Sequence, residues 1–166
     1  MDELDGRLID LFADDPRIGV LEASRRLGVA RGTVQARLDK LAASGVVTGW
    51  GPDLSPEALG YPVTAFLTLE IRQHGDDGPD SPQGGHNAVG AHLAGIPEVL
   101  EAHTITGAGD MWARVVARSN TDLQRVIDRV LDDPAIVRSS TVIALATQVR
   151  YRVRPLARAA TDPDGA

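Results

Sequence analysis

The segment from Ile18 to Trp50 constrains the fold of this chain more than any other stretch. Apolar residues recur at helical spacing over residues 20–27 and again over residues 31–43, and Gly28 separates the two runs. We expect a positive φ at Gly28, because glycine adopts that conformation without a steric penalty. Two short amphipathic helices joined by a tight turn predict a helix-turn-helix, which places its second helix in the major groove of DNA.

The local charge of this segment supports that interpretation, although the chain as a whole is acidic. The formal net charge is −6 over 166 residues, which taken alone argues weakly against DNA. Between Glu22 and Lys40, however, five basic and two acidic residues give a local charge of +3. An acidic body with a basic surface is consistent with a regulator whose non-specific affinity for DNA is kept low.

The open side of the second helix predicts two kinds of DNA contact. The N-terminal end of that helix enters the groove in this motif, so we expect Arg31 to bond guanine and Gln35 to bond adenine. Gly32 and Ala36 are small and let the helix approach the bases closely. Phosphate contacts, which position a protein without reading sequence, are expected from Arg25, Arg26, Thr33, Arg37 and Lys40. The alternative interpretation is a solvated basic face on an ordinary helical bundle.

The second half of the chain has a different pattern, in which strands and helices alternate. A helix over residues 3–13 starts the chain, Val46–Trp50 is predicted as a short strand, and Ser55–Gly60 as one helical turn. After them we predict strands at 63–72, 99–106, 111–118 and 136–149, and helices at 87–94 and about 120–131, the latter capped by Asn120 or Thr121. This βαββαβ order predicts a ferredoxin-like sandwich. The predicted fold class is therefore α+β, with an N-terminal three-helix helix-turn-helix domain joined by a short hinge to a ferredoxin-like βαββαβ domain.

These elements divide the chain into four predicted segments. Residues 1–49 form the helix-turn-helix domain, residues 50–61 the hinge strand and turn, residues 62–154 the ferredoxin-like domain, and residues 155–166 a disordered tail. A loop rich in glycine, proline and aspartate spans residues 73–86.

Composition excludes several classes of protein. The hydrophobic fraction of 43% supports a real core. No apolar run approaches the length of a membrane span and the N-terminus lacks a signal-peptide pattern, so we expect a cytoplasmic protein without a membrane partner. The chain has no cysteine, and its histidines (His74, His86, His92 and His103) lack a metal-ligand spacing. We expect no metal, no cofactor and no catalytic residue.

Three motifs, in order, resemble one family of regulators. The first is Leu4-Asp5 followed by the helix-turn-helix and Gly45–Trp50, the second is the hinge at Leu54–Tyr61, and the third is the stretch Pro97–Asp110 with its Thr-Gly-x-x-Asp ending. Together they resemble the leucine-responsive regulatory protein/AsnC (Lrp/AsnC, feast/famine) transcription factors, and the resemblance covers residues 4–149.

The resemblance implies partners as well as a fold. It implies sequence-specific binding to double-stranded promoter or operator DNA, modulated by a small effector, an amino acid, held at the interface between C-terminal domains. It also implies homodimers that pair sheet to sheet, and higher homo-oligomers such as octamers. The chain would then be a transcriptional regulator and not an enzyme.

The effector site implied by the resemblance lies near the Gly-x-x-Asp turn. Backbone N–H groups of the turn would hold the effector carboxylate, and Asp110 could pair with its ammonium group. The implied residues are Gly107, Ala108, Gly109, Asp110, Met111, Ser139 and Thr141. The alternative for the turn is an ordinary hairpin that needs glycine, and for the two hydroxyls it is β-propensity on a half-buried strand.

Several residues depart from the family pattern. Ala30 and Gly19 stand at frequent serine cap positions, so neither can cap its helix with a side-chain oxygen. Met111 replaces a usual aromatic residue, and His103 a frequent cysteine. Two other functions on the same fold stay open: a DNA-organising protein without effector control, and an enzyme like the sirohaem decarboxylases, for which His103 and Arg114 are the obvious pair.

Overall fold

The structure, a computed structural model, describes residues 1–72 and 84–161. Its elements are α1 (Glu3–Asp14), α2 (Val20–Leu27), α3 (Arg31–Ala43), β1 (Val63–Ile71), α4 (Gly84–Ala94), β2 (Val99–Thr104), β3 (Met111–Ala117), α5 (Asn120–Leu131), β4 (Ile136–Ile143) and α6 (Arg154–Ala159). The chain forms two compact units. We call residues 1–53 with the chain from Val149 onward the helical unit, and residues 54–148 the sheet unit.

The helical unit is built on the three helices predicted from the sequence. Leu8 of α1, Ala23 of α2, and Val34 and Leu38 of α3 are buried against one another. The ring of Phe12 meets that of Trp50 edge to face, with 5.7 Å between their centres. The bounds of α2 and α3 agree with the prediction, because each helix carries an apolar stripe of helical period.

The sheet unit has the predicted ferredoxin-like topology. Its strands lie in the order β2-β3-β1-β4, and every neighbouring pair is antiparallel. Alternate residues of β1, among them Leu67 and Leu69, are buried in one core with side chains of α4 and α5. Both helices therefore cover the same face of the sheet, because alternate residues of a strand point to opposite faces. The other face carries Phe66 and Trp112, whose rings stack with 5.2 Å between their centres. The α+β fold class is confirmed.

Two strand predictions were wrong in extent or existence. Residues 46–50 form no strand, and the described residues of the helical unit contain no strand with which they could pair. β4 ends at Ile143 instead of Val149, because its partner β1 begins at Val63. Ile143 lies opposite Ala65, and the Ala144 N–H donates to the Thr64 carbonyl as the last backbone bond between the two segments.

Helix ends in the sheet unit also differ from the prediction. Ser119 caps α5, through its hydroxyl oxygen and the Asp122 N–H, and neither Asn120 nor Thr121 does so. α4 begins at Gly84 instead of residue 87, and residues 73–83 of the predicted loop lie outside the described residues. The predicted turn at Ser55–Gly60 is present, with the Leu59 N–H donating to the Ser55 carbonyl.

Residues 155–166 were predicted to be a disordered tail, and the structure corrects this prediction over the part that it describes; residues 162–166 lie outside the described residues. Residues 154–159 form α6, which packs on α1 inside the helical unit. Arg154 donates to Asp10 and to Asp14, both at 2.6 Å, and Arg158 donates to Asp10 at 3.0 Å. These charge-assisted bonds hold the segment against α1, and the sheet unit, as a compact body, ends at Gln148.

The described ranges contain neither a membrane-spanning helix nor a cluster of metal-binding side chains. No helix within residues 1–72 and 84–161 is long and apolar enough to cross a bilayer. In the same ranges, no group of three histidine, cysteine, aspartate or glutamate side chains could hold a metal ion.

Candidate nucleic-acid interface and effector site

The exposed side of α3 carries the four residues predicted to reach bases. Val34, Leu38 and Leu41 are buried, and the helical period therefore turns the intervening positions outward. All four predicted base contacts are exposed: Arg31, Gly32, Gln35 and Ala36. The structure thus brings these residues together on one open surface at the N-terminal end of the helix.

The turn before α3 has the predicted geometry. Gly28 has a φ of +69°, and its N–H donates to carbonyls of the last turn of α2. Ala30 and Gly19, at the two N-cap positions, make no side-chain cap bond. The first N–H groups of α3 are consequently not satisfied by a cap side chain, and the positive end of the helix dipole lies beside Arg31.

The basic residues near α3 differ in how far they are paired. Arg25 lies 3.7 Å from Glu22, and Arg26 lies 3.2 Å from Glu22 and 3.6 Å from Asp15. Such exposed pairs are worth about 0–1 kcal/mol each, so phosphate groups can displace them. Arg31 and Lys40 have no ion pair within the part of the chain that the structure describes, and Thr33 is exposed.

Arg37 occupies a different place from the one predicted. Its half-buried guanidinium donates to Asp5 at 2.9 Å and also pairs with Asp2. Those two aspartates form a capping box at the start of α1, and the Asp5 side chain is buried. The Arg37 guanidinium lowers the pKa of Asp2, and the two carboxylates raise the pKa of Arg37. Arg37 therefore joins α3 to α1, and the phosphate contact predicted for it would compete with these two carboxylates.

Asp39 is an exposed residue of α3 that the sequence analysis did not single out. Its carboxylate accepts a hydrogen bond of 2.8 Å from the side-chain amide nitrogen of Gln35. The spacing of four residues on a predicted helix is the signal that could have found this pair.

The turn between β2 and β3 requires glycine at two positions. Gly107 has a φ of +107°. A Cβ atom added at Gly109 would overlap the Cγ2 methyl of Thr68, so only glycine fits there without a shift of its neighbour. Thr68 points to the face of the sheet that carries Phe66 and Trp112, because it alternates along β1 with the buried Leu67 and Leu69.

Asp110 anchors this turn to the end of β1. One oxygen of its carboxylate, Oδ2, accepts from the Ile71 N–H at 2.7 Å. Its own N–H donates to the Leu69 carbonyl at 2.9 Å, and its carbonyl accepts from the Ile105 N–H at 3.0 Å. Oδ1 has no hydrogen-bond partner among residues 1–72 and 84–161. One carboxylate oxygen of Asp110 therefore holds the turn to β1, and the other has no partner in the part of the chain that the structure describes.

Three predicted effector residues lie on the helix-covered face of the sheet. Ser139 is opposite Leu69 and Thr141 opposite Leu67, and opposed residues of an antiparallel pair share a face. Both hydroxyl residues are half-buried, whereas Met111 is only 4% exposed and belongs to the core. Met111 thus packs in the core of the sheet unit. The two hydroxyls lie on the face opposite to the one that Gly109 approaches.

The pair named for the enzymatic alternative shares one acidic neighbour. His103 Nε2 lies 3.6 Å from Glu101, and Arg114 Nε lies 3.1 Å from the same carboxylate without hydrogen-bond alignment. The His103 ring also lies against Trp112, with 5.9 Å between ring centres. Both side chains are thus already engaged on this face of the sheet.

Two family models match this chain. The AsnC-type helix-turn-helix domain matches residues 1–42, and the Lrp/AsnC ligand binding domain matches residues 64–153. Helix α6 lies outside both matches.

Individual relatives agree with the family models. The HTH-type transcriptional regulator FL11 of Pyrococcus horikoshii is 29% identical over 156 residues, which is 94% of this chain and 97% of the relative. The solved structure of Escherichia coli AsnC is 26% identical with a TM-score of 0.80, covering 93% of this chain and 99% of that one. A feast or famine regulatory protein from Mycobacterium tuberculosis, solved in complex with L-methionine, is 26% identical with a TM-score of 0.74, covering 91% and 96%.

Proposed function

The chain belongs to the Lrp/AsnC family of DNA-binding transcriptional regulators, and we propose that it reads operator DNA with the exposed side of α3 under the control of an amino-acid effector. The observation that carries the proposal is Arg31, which is exposed, has no ion pair within the described residues, and stands beside the small residues Gly32 and Ala36. An arginine so placed is free to form the bidentate contact with guanine O6 and N7.

The phosphate contacts proposed beside it come from Arg25, Arg26, Thr33 and Lys40. Their exposure supports this role, and the weak pairs of the two arginines with Glu22 cost little to break. We leave Arg37 out of the contact set, because its guanidinium is already bound by two carboxylates.

Assembly is part of the proposal. Phe66, Trp112 and Val142 lie on the face of the sheet that α4 and α5 leave uncovered, and Val142 is 63% exposed. Covering such apolar side chains stabilises an association. We propose a homodimer that pairs these faces, in which the two helix-turn-helix domains bind two DNA half-sites. Dimers would then build higher assemblies such as an octamer.

The effector is proposed to be an amino acid bound at the Gly107–Asp110 turn. Gly107 and Ala108 are exposed residues whose N–H groups suit a carboxylate, and Asp110 Oδ1, which has no partner among the described residues, suits an ammonium group. The methionine complex of the mycobacterial relative supports this ligand class. Ser139 and Thr141 remain proposed contacts that depend on a ligand reaching the helix-covered face.

Asp110→Asn separates the two roles of this residue. Asparagine keeps an oxygen for the Ile71 N–H but removes the negative charge that would hold the ammonium group. We expect thermal-shift screening of the twenty amino acids to identify a stabilising ligand for the wild type, and the shift to be lost in Asp110→Asn. Asp133→Asn is the matched control, because the Asp133 carboxylate also accepts from a backbone N–H, that of Ala135, at 2.9 Å.

The same screen, followed by DNA-binding titrations, decides between this proposal and the alternatives. A ligand that raises the melting temperature and changes DNA affinity supports effector control. DNA binding without a response to any amino acid would instead favour a DNA-organising protein. An Asp110→Asn variant with an intact response would refute the assignment of the effector site.

A further inference from the structure

Gln35 and Asp39 form a pair on the reading side of α3, and this pair has consequences for base recognition. The two residues are one helical turn apart and both are exposed, and the Gln35 amide nitrogen donates to Asp39 Oδ1 at 2.8 Å. Asp39 is also the one acidic residue in α3, whose sequence otherwise supplies Arg31, Arg37 and Lys40. A carboxylate on a surface that faces phosphates lowers the affinity of the protein for DNA. The presence of Asp39 there therefore needs an explanation other than attraction to DNA.

The bond to Asp39 determines which groups Gln35 presents to a base. A glutamine amide has two N–H donors and one carbonyl acceptor. One N–H is taken by Asp39, which leaves one N–H and the Oε1 atom. Adenine presents one acceptor, N7, and one donor, the N6 amino group, at its major-groove edge. The remaining donor and acceptor of Gln35 match the acceptor and donor of adenine, and the bond to Asp39 restrains the amide that carries them.

The negative charge of Asp39 acts in the same direction. Guanine presents two acceptors in the major groove, and thymine presents one acceptor and a methyl group. An acceptor placed near a carboxylate is repelled, whereas the amino group of adenine is attracted. The charge thus disfavours guanine and thymine. Cytosine also presents an amino donor, but it lacks the acceptor that the remaining N–H of Gln35 needs. The charge also weakens binding to phosphates of any sequence.

We propose that Asp39 is a positioning residue that makes Gln35 selective for adenine and lowers the affinity of the protein for non-cognate DNA. The proposal rests on α3 being the recognition helix. Asp39 would then restrict which DNA the protein binds, both by positioning Gln35 and by its own negative charge.

Selection of binding sites from random double-stranded DNA tests this role. We expect the wild type to enrich adenine at one position of each half-site. Asp39→Ala should weaken that preference and leave the guanine selected by Arg31 unchanged. Gln35→Ala should lose the same adenine, and the double variant should lose no more than Gln35→Ala alone, because both changes act through one contact.

Affinity for a random-sequence duplex tests the charge. Removing one negative charge near phosphates should raise this affinity by about five-fold at low salt, and the gain should shrink as salt screens it. Asp39→Asn should show the same gain while keeping a neutral acceptor for Gln35, so its adenine preference should fall less than that of Asp39→Ala.

The chain offers a matched control on α5 of the sheet unit. Gln124 donates to Asp128 at 2.8 Å across the same four-residue spacing, and both residues are exposed. Asp128→Asn changes the net charge by the same amount and should alter neither the selected sequence nor the affinity for random DNA.

The outcomes separate failure of this proposal from failure of the assignment of α3. If Gln35→Ala removes the adenine preference and Asp39→Ala leaves it intact, the role of Asp39 is overturned and α3 stays the reading helix. If Arg31→Ala and Gln35→Ala both leave the selected sequence unchanged, the assignment of α3 itself is overturned. An equal rise in random-DNA affinity for Asp39→Asn and Asp128→Asn would refute the local effect of the charge.

Discussion

Glu98 should contribute more to stability than any surface ion pair of the sheet unit. Its side chain is 8% exposed, and its carboxylate accepts from Arg125 at 2.6 Å and from Arg129 at 3.1 Å. These contacts join the residue before β2 to helix α5. The Arg125 guanidinium above all, with a smaller contribution from Arg129, lowers the pKa of Glu98.

The substitution Glu98→Gln keeps the volume of the side chain and removes its charge. Hydrogen bonds to charged groups contribute about 1.5–3 kcal/mol and neutral ones about 0.5–1.5 kcal/mol, so weakening two bonds gives a loss of roughly 2–3 kcal/mol. The arginines are 47% and 39% exposed and regain water after the substitution. We therefore expect the free energy of unfolding to fall by about 2 kcal/mol.

Urea unfolding followed by circular dichroism measures this loss, with all variants at one protein concentration because assembly contributes to stability. The pKa of Glu98 is lowered in the folded state. Its stabilisation is therefore fully present above the ordinary glutamate pKa of about 4.3 and is lost as the pH falls through the folded-state value. The gap between wild type and Glu98→Gln should accordingly close in acid.

Asp128→Asn is the control for this experiment, since it alters an exposed carboxylate and should change the free energy of unfolding by no more than about 0.5 kcal/mol. A loss for Glu98→Gln as small as that of the control, or a gap between wild type and Glu98→Gln that does not depend on pH, would show that the reasoning from burial and charge is wrong.

Three further substitutions test other contacts. Gly109→Ala should destabilise the sheet unit by about 1–3 kcal/mol in urea unfolding through overlap with Thr68, and adding Thr68→Ser should recover most of the loss; two purely additive losses would contradict the overlap. Arg37→Ala should lower the melting temperature of the helical unit and its free energy of unfolding, the latter by about 1–3 kcal/mol, because it leaves the buried Asp5 carboxylate without its cation. An unchanged melting temperature would contradict the role of Arg37 in joining α3 to α1. Arg154→Ala should speed hydrogen exchange in α6 and cost about 1 kcal/mol, and equal exchange in both proteins would count against the docking of α6.

Local patterns were enough to predict the helix-turn-helix. The turn at Gly28 and the apolar stripe of α3 depend on residues within a few positions of each other, and their positions agree with the structure. The order of strands in the sheet unit followed from alternating elements, because few topologies satisfy a βαββαβ order.

Predictions that depend on a partner strand were less accurate. Val46–Trp50 has β-forming residues, but a strand needs a neighbour for its backbone groups, and the described helical unit supplies none. β4 was extended to Val149 on the same grounds, although β1 begins at Val63 and gives no partner beyond Ala144.

Contacts between residues far apart in the sequence could not be predicted at all. Arg37 was placed on the phosphate side because its partners at Asp2 and Asp5 are more than thirty residues away. Asp110 was predicted as a ligand contact or as part of an ordinary hairpin turn, and neither interpretation included the bond that one of its oxygens accepts from the Ile71 N–H. The tail was predicted to be disordered, since Asp10, which binds Arg154 of α6, lies near the other end of the chain and gives no local signal.

The central claim, that the exposed side of α3 reads operator DNA, is tested most directly by one comparison of wild type with Arg31→Ala. Binding to a selected operator and to a random duplex is titrated by fluorescence anisotropy over a range of salt concentrations. We predict that Arg31→Ala lowers the ratio of operator to random affinity by about ten-fold to a hundred-fold and changes the salt dependence little, because a base contact specifies and a phosphate contact only positions. A ratio equal to that of the wild type would contradict the claim.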